Sequence, residues 1–190
     1  MARGRPSKRQ LILDSAIGLI AELGYQGTSI DLVVQKAGVS KPTVYNNFPT
    51  KQALFQAYLA QMIQQLTDKL KDISNNKNLA EVPGLIKLYS EIAQTPEMLA
   101  IYRVYFGEQH KLDDATAALI TAFDNLLLEW SKQRLAVSGE PLSATQLFMV
   151  MAVCREGIVI PALSASAPLE ESQLEKIIQD ILAKWRFIES

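Results

Sequence analysis

Apolar residues recur every three to four positions along almost the whole chain, and that spacing predicts helices. Over residues 7–23, Leu11, Ala16, Ile20 and Leu23 form a stripe with Ile12 and Leu19 beside it, and "GYQG" then breaks the pattern. Thr28 is read as opening the next helix, because "TSID" has the form of a Thr-x-x-Asp capping box, and Ile30, Val33, Val34 and Ala37 continue it. Gly38 suits the following turn. Ser40 caps a short third helix, in which Pro42 is tolerated because its missing N–H falls in the first turn. That helix is predicted to end at Phe48, since the residue before Pro49 avoids the helical region. Thr50 then starts a long amphipathic helix to about Ile73. After the loop "SNNKN", helices are predicted at about 79–94, 96–108, 112–137, 143–163 and 169–188. No strand, internal repeat or low-complexity segment stands out. The fold class is all-α with about nine helices: a three-helix helix-turn-helix domain over 1–50 and a larger helical domain over 51–190.

The stretch "AGVSKPTVYNNF", Ala37 to Phe48, is too poor in large apolar residues for ordinary core. Only Val44 and Phe48 share an apolar face, and Pro42, Thr43, Tyr45 and Asn46 point elsewhere at about 100° per residue. A helix from Thr28, a turn through "AGVS" and a helix from Ser40 have helix-turn-helix spacing. The outward side chains suit a DNA duplex. Lys41 and Asn46 can bond base edges, Thr43 offers a methyl and a hydroxyl, and Tyr45 can reach a phosphate. Lys51 and Thr28, each read at a helix start, can grip phosphates together with free backbone N–H groups. Arg3 and Arg5, in the arm "ARGRP", are placed to enter a minor groove or to neutralise the backbone. Charge follows the same division: residues 1–52 carry a net +4 and the remainder −5, within a total of −1. An anionic partner is therefore expected for the first quarter only.

Composition narrows the rest. At 190 residues, 48% hydrophobic and 21% charged, the chain reads as a globular protein with enough length for one good core or two small ones. Its one cysteine, Cys154, excludes an internal disulfide, and in "FMVMAVC" it reads as a buried thiol rather than a redox sensor. The basic start "MARGRPSKRQ" precedes an apolar run, but Asp14 and Glu22 interrupt that run and no cleavage site follows, so a signal peptide is not expected. No stretch approaches about 18 uncharged apolar residues, so no membrane span is expected and the location is read as cytoplasmic. The chain lacks a Gly-rich phosphate loop, metal-ligand spacing and a Ser-His-Asp set around its one histidine. No enzymatic activity, cofactor or metal is therefore expected. His110 with Asp113 and Asp114, in "EQHKLDD", reads as a solvated loop. A protein-interaction module with a purely structural helix-turn-helix remains the alternative.

The segment "ILDSAIGLIAELGYQGTSIDLVVQKAGVSKPTVYNNFPTKQALF" resembles the TetR-type (TetR/AcrR) family of bacterial transcriptional regulators. Gly24, Tyr25, Thr28, Ala37, Gly38, Val39, Ser40, Tyr45, Phe48, Lys51 and Leu54 match the family pattern. Pro42 stands where the family often has glycine or another residue. The resemblance covers about the first 55 residues. It implies a homodimer that binds a palindromic operator, usually as a repressor but open to activation, and that a small-molecule effector releases. By that analogy 51–190 is the ligand-binding and dimerisation domain. By the same analogy the last two helices form the dimer surface, with Leu147, Met151 and Ile158 on a helix apolar nearly all round and Ile177, Ile181 and Trp185 on an apolar stripe as its contacts. Met62, Leu66, Tyr89, Met98, Tyr102, Phe106, Phe123 and Trp130 are pocket candidates, each also compatible with plain core. Arg103, Glu108, His110 and Arg155 are candidate polar handles. A ligand wedged against Met62 or Leu66 is expected to tilt the long helix from Thr50 and so to move the recognition helix.

Overall fold

The computed structural model describes residues 6–135 and 142–184. Among them are nine helices and no strand: α1 (Lys8–Gly27), α2 (Ile30–Ala37), α3 (Lys41–Asn47), α4 (Lys51–Asn75), α5 (Glu81–Gln94), α6 (Pro96–Gly107), α7 (Asp114–Arg134), α8 (Ala144–Ser164) and α9 (Glu171–Lys184). A short 3-10 turn, Gln109–Lys111, precedes α7.

Local chemistry sets the helix ends. Ser7, Ser40 and Ser143 accept the N–H of the third residue onward and cap α1, α3 and α8. At α8 the Gln146 side chain reaches back to the Ser143 N–H and completes a capping box. Thr50 accepts from Ala53 at 2.9 Å and does the same for α4. Gly38 stops α2 in the left-handed conformation, φ 63° and ψ 34°, which a residue without Cβ adopts at no steric cost. Phe48, ahead of Pro49, is extended at φ −139° and ψ 98° and ends α3 as the sequence predicts. Gly24, at φ 74° and ψ 175°, interrupts α1 where "GYQG" breaks the stripe.

Two expectations need correction. Thr28 does not cap α2: Ser29 does, accepting from Leu32 N–H at 3.2 Å. Thr28 turns inward and donates to the Gly24 carbonyl at 2.8 Å, an acceptor that the reversal at Gly24 presents to it. On α1 the buried face runs through Ile12, Ala16 and Ile20, while Leu11 and Leu23 are 40% and 45% exposed. Leu11 lies about 100° off that face, and Leu23 sits on the last turn before the break.

By packing, the described residues fall into two units, neither a continuous stretch. The first takes residues up to Gln64 together with Pro96–Thr121; the second takes Gln65–Thr95 with residues from Ala122 onward. In the first unit, Phe55 lies between Tyr25 and Tyr58, with ring centroids 4.5 and 5.3 Å away. The Tyr58 hydroxyl donates to the Glu97 carbonyl, and Arg103 Nη1 donates to the Ala21 carbonyl at 3.0 Å. These bonds tie α6 to α4 and α1.

In the second unit, Leu66, Leu85, Leu88, Ile92, Leu127, Val150, Val159 and Ile178 form the core. Arg134 closes the turn before α5. Its Nη2 donates to the carbonyls of Leu79 and Ala80 at 2.7 and 3.2 Å, and its guanidinium lies 5.2 Å from the Trp130 ring centroid. Helix α8 widens into a π turn over Arg155–Val159. Pro161 has no N–H for the Gly157 carbonyl four residues back, and the Leu169 N–H fills that place at 2.9 Å. A Cβ on Gly157 would lie 2.6 Å from Leu174 Cδ2, so glycine lets α9 approach closely. By length and composition α8 is long and apolar enough to cross a membrane, although Arg155 and Glu156 interrupt it.

Cys154 is fully buried on α8, and burial pushes its thiol up to about 12. The thiol therefore stays protonated at pH 8, and the thiolate is the reactive form. Iodoacetamide labelling of Cys154 is expected to be slow in the native chain and rapid in denaturant, read by intact mass.

Candidate nucleic-acid interface

The short helix α3 divides as its sequence predicts. Val44 and Phe48 are 0% and 2% exposed and anchor it to the first unit. The Arg9 guanidinium lies 4.6 Å from the Phe48 ring centroid, so α1 also braces the end of α3. Lys41, Pro42, Tyr45 and Asn46 are exposed, and Thr43 is half-buried. The Thr43 hydroxyl shares a hydrogen bond of 2.8 Å with the Ser40 hydroxyl, and its carbonyl accepts from Asn47 Nδ2 at 2.8 Å. Thr43 is thus held in the cap, with its methyl the freer part. The Asn46 side chain makes no hydrogen bond to any described residue, so its amide is open to a base edge.

Both lysines of this face are held in the free chain. Lys41 Nζ pairs with Asp31 Oδ1 at 2.8 Å, and that hydrogen bond and charge raise its pKa above the usual lysine value. Lys51 Nζ sits 4.4 Å over the Tyr25 ring and 3.4 Å from the Gln26 carbonyl. Burial lowers its pKa, against the opposing charge of Glu108. Thr28 is 2% exposed and its hydroxyl is already used on Gly24, so it does not face outward with the others. Arg3 and Arg5 lie outside the described residues. Sequence reasoning gave Asp31 a capping role and missed its pairing with Lys41. No local spacing rule links residues on two different helices.

In the first unit, the pocket candidates Met62, Met98 and Tyr102 are buried, and Phe106 is 49% exposed. In the second, Leu66, Tyr89 and Phe123 are buried, and Trp130 is partly exposed and donates to Ser74 Oγ at 2.9 Å. A cleft of about 420 Å³ in the second unit is lined by Ser90, Gln94, Ile158, Leu169, Glu171 and Leu174 among others, and by none of these eight. Of the polar handles, Arg103 is engaged on Ala21, His110 is exposed on the 3-10 turn, and Glu108 has a buried Oε2 without a partner among the described residues. Arg155 lies in the π turn; burial raises the pKa of the half-buried Asp124, and the charge of Arg155 opposes that shift. Of the dimer candidates, Leu147, Ile158 and Ile181 already pack inside their own unit, Met151 is half-buried and Ile177 is 39% exposed. Trp185 lies outside the described residues. The most exposed large apolar side chain on α8 is Phe148, at 65%, which the sequence reading did not single out.

The profile of bacterial regulatory proteins of the tetR family matches residues 12–58, the segment that carries α2, α3 and their anchors. This segment belongs to the TetR family. The HTH-type transcriptional regulator RutR of Escherichia coli K12 is 28% identical over 138 residues, which cover 69% of this chain. The chain spans 65% of the length of that curated relative. The TetR fold extends over almost the whole chain. A TetR transcriptional regulator from Legionella pneumophila superimposes with a TM-score of 0.72 at 19% identity, covering 94% of this chain and 97% of its own. The multidrug binding protein EbrR, solved with malachite green, gives a TM-score of 0.70 at 19% identity over 93% and 98%.

Proposed function

We propose that the chain is a cytoplasmic, non-enzymatic transcriptional regulator that binds a palindromic operator as a homodimer and is released by a small-molecule effector. The observation that carries this reading is α3, a TetR-family helix anchored by Val44 and Phe48 with Lys41, Pro42, Tyr45 and Asn46 facing outward. A phosphate beside α2 would meet Ser29 and the free N–H groups of the first turn rather than the inward-facing Thr28. Residues 1–50 supply the DNA-reading part and 51–190 the regulatory part. Repression is the direction that the family resemblance favours. The complex of EbrR, a protein of the same fold, with malachite green supports an organic small-molecule effector.

The test is fluorescence anisotropy of the full chain with duplexes tiling its own upstream region, at two salt concentrations. Saturable binding to one palindromic segment, two chains per site, falling steeply with salt, is expected. Weak binding, equal on every duplex, would mean a distant operator or a misread helix, and the absence of any salt-sensitive binding would favour a protein-interaction module.

Dimerisation is proposed to centre on the exposed apolar faces of α8 and α9, where Phe148 and Ile177 stand out. Phe148→Glu is expected to weaken the dimer by about 30-fold or more, as loss of an interface anchor does. Sedimentation velocity checks it, and an unchanged dimer would exclude this face.

A further inference from the structure

Asp31 places a carboxylate on the face proposed to meet a polyanion, and it stands 2.8 Å from the ammonium that opens the recognition helix. Both side chains remain exposed, 51% for Lys41 and 74% for Asp31, so the pair adds little to folding. Its consequence is for the charge of the face. Resting on the regulator reading above, we infer that Asp31 is a specificity-determining positioning residue, holding Lys41 for one fixed contact and withholding it from indiscriminate phosphates.

The argument is one of donors and counterions. An ammonium has three N–H donors and no acceptor. One donor on Asp31 leaves two, directed from the start of α3, for acceptors such as guanine O6 and N7 in a major groove. On a non-cognate duplex no base edge rewards that geometry. There a free lysine would simply neutralise a phosphate and release counterions. A lysine already neutralised by a carboxylate gains less, and the carboxylate itself repels the phosphates. Asp31 thereby lowers non-specific affinity more than specific affinity.

The experiment uses the full chain, a duplex that the wild type selects from a randomised pool, and a base-scrambled duplex of equal length. Affinities are measured across a salt series for wild type, Asp31→Asn, Lys41→Ala and the double variant. Asp31→Asn is expected to bind the scrambled duplex more tightly and to steepen its salt dependence by about 0.9 per bound chain. The ratio of selected to scrambled affinity is expected to fall about tenfold. In the Lys41→Ala background the same substitution is expected to change both quantities much less, leaving only the direct repulsion between the carboxylate and the phosphates, and Asp31→Glu is expected to keep the wild-type ratio.

Asp31 also places an acid in the first turn of α2, where it favours the helix dipole. A purely structural role of that kind would shift the thermal midpoint and persist without Lys41. An unchanged ratio and slope in Asp31→Asn, or equal changes with and without Lys41, would overturn the inference and leave the regulator reading standing. A wild type that selects no sequence would remove the regulator reading itself, and the inference with it.

Discussion

Phe48→Ala is expected to cost about 3–5 kcal/mol of folding stability and to abolish saturable DNA binding, although Phe48 faces the interior. Its ring is 2% exposed, sits at the end of α3 and lies under the Arg9 guanidinium. With Val44 it supplies the large buried side chains that fix a helix only seven residues long. A helix this short is not stable by propensity alone and depends on tertiary packing. Truncation would remove that packing and leave a cavity, against a total stability of about 5–15 kcal/mol for a typical domain. Tyr45→Ala, three residues away, is the control. Tyr45 is 42% exposed, and an exposed side chain away from caps and cores costs within about 0.5 kcal/mol. Thermal melts separate the two: a large loss of midpoint for Phe48→Ala and almost none for Tyr45→Ala. Equal midpoints would mean that α3 is not anchored through Phe48.

The division of α3 into an anchoring face and a reading face was legible because short-range rules govern it. Ser40, Gly38 and Pro49 act on the backbone within a few residues, and four-residue spacing puts Val44 and Phe48 on one side. Legibility fails where two neighbours compete or where contact crosses between helices. Thr28 and Ser29 both carry hydroxyls beside α2. The choice between them rests on the backbone at Gly24, whose φ of 74° turns a carbonyl toward Thr28. The Asp31–Lys41 pair joins residues ten positions apart on two helices, and a capping-box reading of "TSID" concealed it. On α8 the difficulty is composition. "TQLFMVMAVC" is apolar nearly all round, so no stripe separates Leu147, which is buried, from Phe148, which is 65% exposed. Packing against α5 and α9 decides that, and periodicity cannot report it.

Asn46→Ala and Lys51→Ala are expected to weaken DNA binding in two different ways. Asn46 is exposed on the outer face of α3 and its side chain is hydrogen-bonded to no described residue, so its amide can make a bidentate contact with an adenine edge. Its loss is expected to cost about 1–3 kcal/mol on the selected duplex, roughly 5- to 150-fold, and almost nothing on a scrambled one. The preference at one base position per half-site should relax with it. Lys51, in the first turn of α4, is proposed instead to meet the DNA backbone. In the free chain its ammonium rests over the Tyr25 ring and against the Gln26 carbonyl, a long contact at 3.4 Å. A phosphate offers a full charge in place of a carbonyl dipole, so the ammonium is expected to exchange onto it when DNA binds. Lys51→Ala should therefore weaken binding to every sequence alike and lower the salt slope by about 1 per chain. Anisotropy titrations of both variants on both duplexes across a salt series decide the assignment. A sequence-independent loss for Asn46→Ala would place it on the backbone. An unchanged slope for Lys51→Ala would mean that its ammonium never leaves Tyr25, and that the α4 start is held by a cation–π contact rather than by DNA.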